Sequence, residues 1–288
     1  MIIACVNAMP FGFLRRRLAL AGALALGVIV AAPTHAFALD FLRGSSAPSY
    51  SRWEGPYLGL AGSQTFTNAN FGSGTSDLVA FILRDTTLES VGHVSQWDTL
   101  APGNGHFQGF GGFLGYNFQI APDLVVGFEG NYTKLKGNSI SSTDTEGRSF
   151  DEGNGFRGDA TVTSTITATL RDYAALRARA GYVMGQFLPY GFVGVAMVRG
   201  TIDRSASVFA TETMTAPPNT VLSLSPNPTL RSEQTKFMAW GPTLGAGLEV
   251  AVLPNVFLRA EYELSAFHQV AGTRLRMQTG RVGVGFKF

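Results

Sequence analysis

Arg259, Glu261 and Glu263 stand two residues apart within residues 256–264, a stretch that is otherwise apolar. On an extended chain successive side chains point to opposite faces, so these three charges share one face while Leu258, Ala260, Tyr262 and Leu264 share the other. The same parity aligns Arg177 with Arg179 and Glu129 with Asn131, and it puts Glu249, Arg281 and Lys287 on the small or polar face of their own segments. Charges on a lipid face at mid-membrane would cost roughly 2 to 4 kcal/mol for Arg or Lys, so this face must point inward. Opposite charges gathered on one inner wall can do two things: neutralise one another as a network, or line an aqueous path as a charged ring. The five cations (Arg177, Arg179, Arg259, Arg281, Lys287) nearly balance the four anions (Glu129, Glu249, Glu261, Glu263). That balance favours cross-linking of the four arginines to the four glutamates in a lumen filled by side chains; the charged ring stays as the alternative.

Other chemistry is sparse. His93, His106 and His268 fall in loops or at strand ends, and because imidazole can ligate haem iron they are the candidate surface ligands. Ser265 and His268 differ by three and would oppose each other on a regular strand, so a triad with Glu263 fails on geometry. Gly72-Ser73-Gly74 lacks the strand, turn and helix expected around a nucleophile elbow. No Cys/His/Asp cluster has metal-ligand spacing, and neither a cofactor nor enzymatic activity is expected.

Arg15-Arg16-Arg17, an apolar run over residues 18–32 and then Ala36-Phe37-Ala38 together read as a secretory leader cleaved after residue 38. The run is about 15 residues, short of the roughly 20 that a spanning helix needs. Cys5, the one cysteine, lies inside this leader, which leaves the mature chain without thiol chemistry. Losing the three leader arginines turns the formal charge of +2 into about −1, so the clustered basic footprint of a nucleic-acid binder is missing. No later stretch is apolar for long enough to span as a helix, yet the chain holds 35 glycines and 11% aromatics. Strands are then the elements that must carry it across a membrane.

Residues 39–52 read as a short polar linker. Eight strand candidates follow: 53–63, 107–118, 124–133, 171–184, 187–198, 237–252, 256–264 and 275–288. Ala121-Pro122-Asp123, Gly185-Gln186 and Leu253-Pro254-Asn255 are tight turns, whereas the connections 64–106, 134–170 and 199–236 are long and 265–274 is intermediate. This asymmetry predicts an all-β fold: a single eight-stranded antiparallel transmembrane β-barrel over 53–288, with short periplasmic turns and long extracellular loops. Thr161, Thr163, Thr165, Thr167 and Thr169 alternate with Val162, Ser164, Ile166, Ala168 and Leu170, so the third to sixth strands are expected to project as a hairpin wall. Pro217, Pro218, Pro226 and Pro228 mark a loop tip.

Gly109, Gly111, Gly115, Gly241, Gly245 and Gly247 fall on inner faces, where they are expected to leave room for arginine side chains. Both faces of 187–198 are apolar or small, which leaves its parity open. Trp53, Tyr116, Phe118, Tyr132, Tyr182, Phe187, Trp240, Tyr262, Phe286 and Phe288 lie near strand ends as candidates for two interfacial girdles. In the last strand Val282, Val284, Phe286 and Phe288 share the apolar face, opposite Arg281, Gly283, Gly285 and Lys287.

Trp53-Glu54-Gly55-Pro56-Tyr57-Leu58-Gly59 resembles the W-x-G-x-Y-x-G opening of the small outer-membrane β-barrel "porin family" proteins common in alphaproteobacteria. Similar blocks follow in order at 111–118, 126–130, 176–182 with 187–190, and 245–249 with 258–262. The resemblance implies an eight-stranded outer-membrane barrel of surface-antigen type in a Gram-negative bacterium, its loops exposed at the cell surface. Family members are variously structural proteins, porin-like channels for small solutes, or binders of hemin. The corresponding expectation here is a structural, surface-exposed barrel; a narrow channel, or surface binding of hemin or host ligands, is the alternative. Implied partners are outer-membrane lipid and lipopolysaccharide, periplasmic chaperones and the barrel-assembly machinery, for which Val282, Val284, Phe286 and Phe288 resemble the terminal assembly signal. Because the sequence ends at its last strand, no periplasmic peptidoglycan-binding domain is expected.

Overall fold

The computed structural model describes residues 53–97, 100–137, 139–153, 155–216, 220–224, 229–270 and 273–288, without the side chains of 222–224, 229, 231–235 and 268–270. The expected leader (1–38) and linker (39–52) lie outside these residues.

Period-two alternation of apolar and small or polar side chains runs through nearly every strand, and it decides the architecture. In chain order the strands are β1 (Gly55–Asn70), β2 (Gly103–Ala121), β3 (Leu124–Gly137), β4 (Ile140–Asp151), β5 (Phe156–Tyr182), β6 (Phe187–Met214), β7 (Val221–Leu224), β8 (Thr229–Leu253), β9 (Val256–Val270) and β10 (Thr273–Lys287). Eight of them close an antiparallel barrel in the order β1, β2, β3, β5, β6, β8, β9, β10, with β10 pairing back onto β1. Closure removes the unpaired edges that lipid could not satisfy. Leu58, Leu60, Leu114, Phe128, Leu176, Val193, Leu244 and Val282 are exposed on the outer face, a continuous apolar belt of the kind that lipid covers. The parity of β6 is settled by burial: Leu188, Tyr190, Phe192, Ala196 and Val198 face the lumen, and Val193 and Val195 face out.

The long connections are more structured than the sequence suggested. β1 runs on to Asn70, and the first connection then folds α1 (Ser76–Ile82), α2 (Thr87–Ser90) and a 3-10 turn, Val94–Gln96. β4 and β7 add to the upper parts of β5 and β6, and together with β8 they form the projecting wall. β3, expected to be part of that wall, stops at Gly137. The wall is held by packing: Val79, Leu83, Leu88 and Val94 of the helical segment bury against Ala160, Val162, Ala206, Val208 and Ala210 of β5 and β6. Apolar burial on both sides extends regular pairing where water alone would favour loops. Arg204 of β6 ties the segment down, donating to the Gly74 carbonyl at 2.8 Å and to Asp77 Oδ1 at 2.9 Å.

Inside the barrel the side chains form three layers. Trp53, Tyr57, Phe113, Val125, Leu188 and Phe257 fill the end with the short turns. Phe71, Phe107, Ile140, Phe267, Leu275 and Met277 fill the end with the long strands. The four arginines and four glutamates lie between.

Candidate functional site

Register brings the charges together before any side chain bends. Glu129 pairs with Arg177 across β3 and β5, Glu249 with Arg259 across β8 and β9, and Glu261 with Arg281 across β9 and β10. Arg177 Nη2 lies 2.7 Å from Glu129 Oε1, and its Nη1 lies 3.3 Å from Glu261 Oε2. Arg179 Nη1 is 2.8 Å from Glu249 Oε1 and 3.4 Å from Glu129 Oε2. Arg259 Nε donates to Glu249 Oε1 at 2.9 Å, and its Nη1 is 2.7 Å from Glu129 Oε2. Arg281 Nη1 pairs closely with Glu263 and lies 3.7 Å from Glu261 Oε2. Every one of these side chains is at most 4% exposed. Ions so deeply buried are tolerated only when paired and hydrogen-bonded, and Glu129 and Glu261 each meet three guanidiniums.

Three phenols join the network that sequence reasoning did not single out. Tyr57 donates to Glu129 Oε2 at 2.8 Å, Tyr173 to Glu263 Oε1 at 2.7 Å, and Tyr190 to Glu261. Thr243 donates to Glu263 at 2.6 Å. The alternation around Tyr57, with Leu58 and Leu60 facing out, carried the signal for that residue. Tyr190 needed the parity of β6, which its two apolar faces concealed.

Of the six inner glycines, Gly115, Gly245 and Gly247 make room for aromatic rings, whereas Gly109, Gly111 and Gly241 lie against backbone or the side chains of Ser63, Thr133 and Leu135, a correction to the expectation that they make room for arginines. A Cβ on Gly247 would lie 2.7 Å from Tyr190 Cζ, and one on Gly245 would lie 2.9 Å from Phe192 Cε2. The guanidiniums stack on those rings: Arg179 is 3.9 Å from the Tyr190 centroid and Arg177 is 4.2 Å from that of Phe192. Arg259 lies 3.8 Å from the Phe113 centroid, with Gly59 behind that ring. Glycine, ring and guanidinium thus form successive layers from wall to axis. A desolvated cation over a ring gains about 2 kcal/mol, which helps to offset the burial.

Lys287 is buried at the short-turn end with Nζ 4.3 Å from the Trp53 ring centroid. Trp53 itself is 3% exposed, so it packs inside the barrel and does not belong to an outer girdle. The other girdle candidates are exposed on the outer face.

His93 is exposed and caps the 3-10 turn in a left-handed conformation, φ 47°. His106 faces outward on β2, its ring 4.9 Å from that of Phe66. These two sit on separate elements with separate neighbours; His268 lies in β9 and its side chain is outside the described ones. Among the described residues no three His, Cys, Asp or Glu side chains are grouped to hold a metal. Ser265 is buried and shares hydrogen bonds with Tyr173 and Thr243 at 2.9 and 3.0 Å, within the lumen network. Gly72-Ser73-Gly74 does join a strand to a helix, contrary to expectation, and its turn is closed by Ser76 N donating to the Ser73 carbonyl at 3.1 Å. On β10, Val282, Val284 and Phe286 face outward, and the Phe286 and Phe288 rings meet edge to face at 5.0 Å.

A family model for the outer membrane protein beta-barrel domain matches residues 22–288. The chain is 28% identical over 178 residues to the 25 kDa outer-membrane immunogenic protein of Brucella ovis, covering 62% of each chain. It is 27% identical over 186 residues to that of Brucella melitensis, covering 62% of this chain and 64% of the relative. The match therefore spans less than two thirds of these curated relatives. Among solved structures, Ail, the attachment invasion locus protein of Yersinia pestis, aligns over 82% of this chain and 100% of its own at 14% identity, with a TM-score of 0.32.

Proposed function

Because this chain belongs to the outer membrane protein beta-barrel domain family, we propose that it serves as a sealed structural barrel, which anchors in the outer membrane of a Gram-negative bacterium and presents its projecting wall at the cell surface. The observation that carries this reading is the filled lumen, a paired charge layer between two apolar layers. A solute path would have to pass both apolar layers and break ion pairs whose side chains are at most 4% exposed. The charged-ring reading requires charges that face water, whereas these four arginines and four glutamates face one another.

Residues 1–38 act in this account as the cleaved leader and 53–288 as the barrel. Periplasmic chaperones deliver the chain, and the assembly machinery reads the outward face of Val282, Val284 and Phe286 together with Phe288. Strand addition suits recognition of such an unfolded terminal strand. The Brucella relatives are described as immunogenic, and on this reading the projecting wall with its helical cover is the corresponding surface antigen here.

Loss of the gene tests the proposal in cells. A null strain should become more sensitive to detergent and large antibiotics, with unchanged uptake of small solutes, and the wild-type gene should restore resistance. Slower uptake with an intact permeability barrier would instead support the channel.

A further inference from the structure

Two β-bulges lie side by side on the outer wall where the apolar belt ends. On β5, Leu170 pairs with Gly200 and Asp172 with Arg199, so Arg171 is the extra residue. On β8, Phe237 pairs with Gly200 and Gln234 with Ile202, so Thr235 and Lys236 stand opposite Thr201 alone. A bulge re-aims the side chain of its extra residue. Here both bulges carry a cation, and Arg199 on β6 stands between them. Arg171, Arg199 and Lys236 line one cleft of about 570 Å³, together with Thr169, Asp172 and Asp203. None of the three cations is in an ion pair among the described residues. Asp172 is turned to Tyr132, whose phenol donates to it at 2.6 Å. Among the described residues the cleft holds three cations against two carboxylates, and it presents hydrogen-bond donors that match phosphate oxygens.

Beneath the cleft, toward the membrane, the outer wall becomes apolar. Ala174 follows Asp172 on the outer face of β5, Met197 precedes Arg199 on that of β6, and Trp240 lies two outward positions below Lys236 on β8. With Leu114, Leu176 and Val195 they line a second groove of about 400 Å³. The long-strand end faces out of the cell in an outer-membrane barrel, which puts the cleft at headgroup depth and the groove at acyl-chain depth of the outer leaflet. Neither takes part in the lumen network.

We propose that this double bulge binds a phosphorylated, acylated lipid of the outer leaflet, its phosphate held by Arg171, Arg199 and Lys236 and one acyl chain lying against Met197, Leu176 and Trp240. The site depends on the outer-membrane location alone and stands whether or not the lumen conducts.

Full-length protein in non-ionic detergent, titrated with bis-phosphorylated lipid A, tests the site. Variants are the triple Arg171→Gln/Arg199→Gln/Lys236→Gln, the groove change Trp240→Ala, and a control, Arg148→Gln/Arg157→Gln, at exposed cations on the projecting strands. Heat-modifiable electrophoretic mobility verifies that each is folded. The triple variant should lose on the order of a hundred-fold in affinity. Dephosphorylated lipid A should bind the wild type as weakly as the triple variant binds the intact lipid. Trp240→Ala should weaken binding several-fold, and the control should match the wild type. Equal binding by the triple variant and the wild type, or an equal loss in the control, would overturn the site. Inorganic phosphate binding as tightly as the lipid would overturn the lipid assignment in favour of a free-anion site. Should the triple variant fail to fold, Lys236→Gln alone provides the comparison, with about a five-fold loss expected and no loss overturning the proposal.

Discussion

Arg259 on β9 reaches Glu129 on β3, four strands away in either direction around an eight-stranded barrel, with Nη1 2.7 Å from Oε2. The pair spans the full width of the lumen. Its two ends also hold their own neighbours, Glu249 beside Arg259 and Arg177 beside Glu129. A lumen crossed this way is a packed interior whose polar groups join opposite walls.

Removing one carboxylate should therefore cost far more than a surface charge does. Glu129→Gln leaves Arg177, Arg179 and Arg259 short of an anion while each stays buried. A loss of about 3 to 5 kcal/mol is expected from breaking one side of a buried pair. Urea unfolding in lipid vesicles, followed by tryptophan fluorescence, measures it; a loss within about 0.5 kcal/mol, as at a surface site, would refute the network's structural role.

A matched pair of glycine changes separates the inner layers from the outer face. The Cβ of Gly247→Ala would lie 2.7 Å from both Tyr190 Cζ and its hydroxyl, whereas that of Gly280→Ala meets nothing within 4 Å. Overpacking should cost the first about 1 to 3 kcal/mol and disturb the Tyr190 bond to Glu261. The second should be neutral in the same unfolding assay. Equal effects would show that the ring layer is not close-packed.

Some of this was legible in the residues and some was not. Arg259, Glu261 and Glu263 alternate with apolar neighbours in β9, so their common face could be read directly. In β6 small and apolar residues occupy both faces, so Tyr190 and Phe192 could not be oriented without their neighbours. α1 and α2 are seven and four residues long, too short for helical periodicity to stand out, and they hold their place by burying Val79 and Leu88 on β5 and β6. Arg171 reads as the first residue of a strand candidate and Lys236 as the last residue of a long connection. Only the pairing register shows them as bulged residues on either side of Arg199.

The helical cover should be releasable without unfolding the barrel. Arg204→Ala removes the bonds to the Gly74 carbonyl and to Asp77. Because Asp77 is largely exposed, the change should cost only about 1 kcal/mol. Limited proteolysis of folded protein should then cut residues 73–97 several-fold faster while the heat-modifiable barrel persists. An unchanged cutting rate would show that the apolar contacts of Val79 and Leu88 hold the cover alone.

Deleting Phe288 should lower the amount of assembled protein in the outer membrane without changing the stability of what does assemble. The Phe286 and Phe288 rings touch each other on the outer side, and neither belongs to the buried lumen layers. Quantifying folded and unfolded bands from outer-membrane fractions measures the effect. Full assembly of the truncated chain would remove Phe288 from the recognition step.

The sealed lumen is tested most directly by the conductance of purified, refolded protein in a planar bilayer, with wild type beside Glu261→Gln. The wild type is expected to show no steady open state, because a paired charge layer lies between apolar layers at both ends. A large, steady wild-type conductance whose ion selectivity shifts in Glu261→Gln would contradict the account and make the lumen a path.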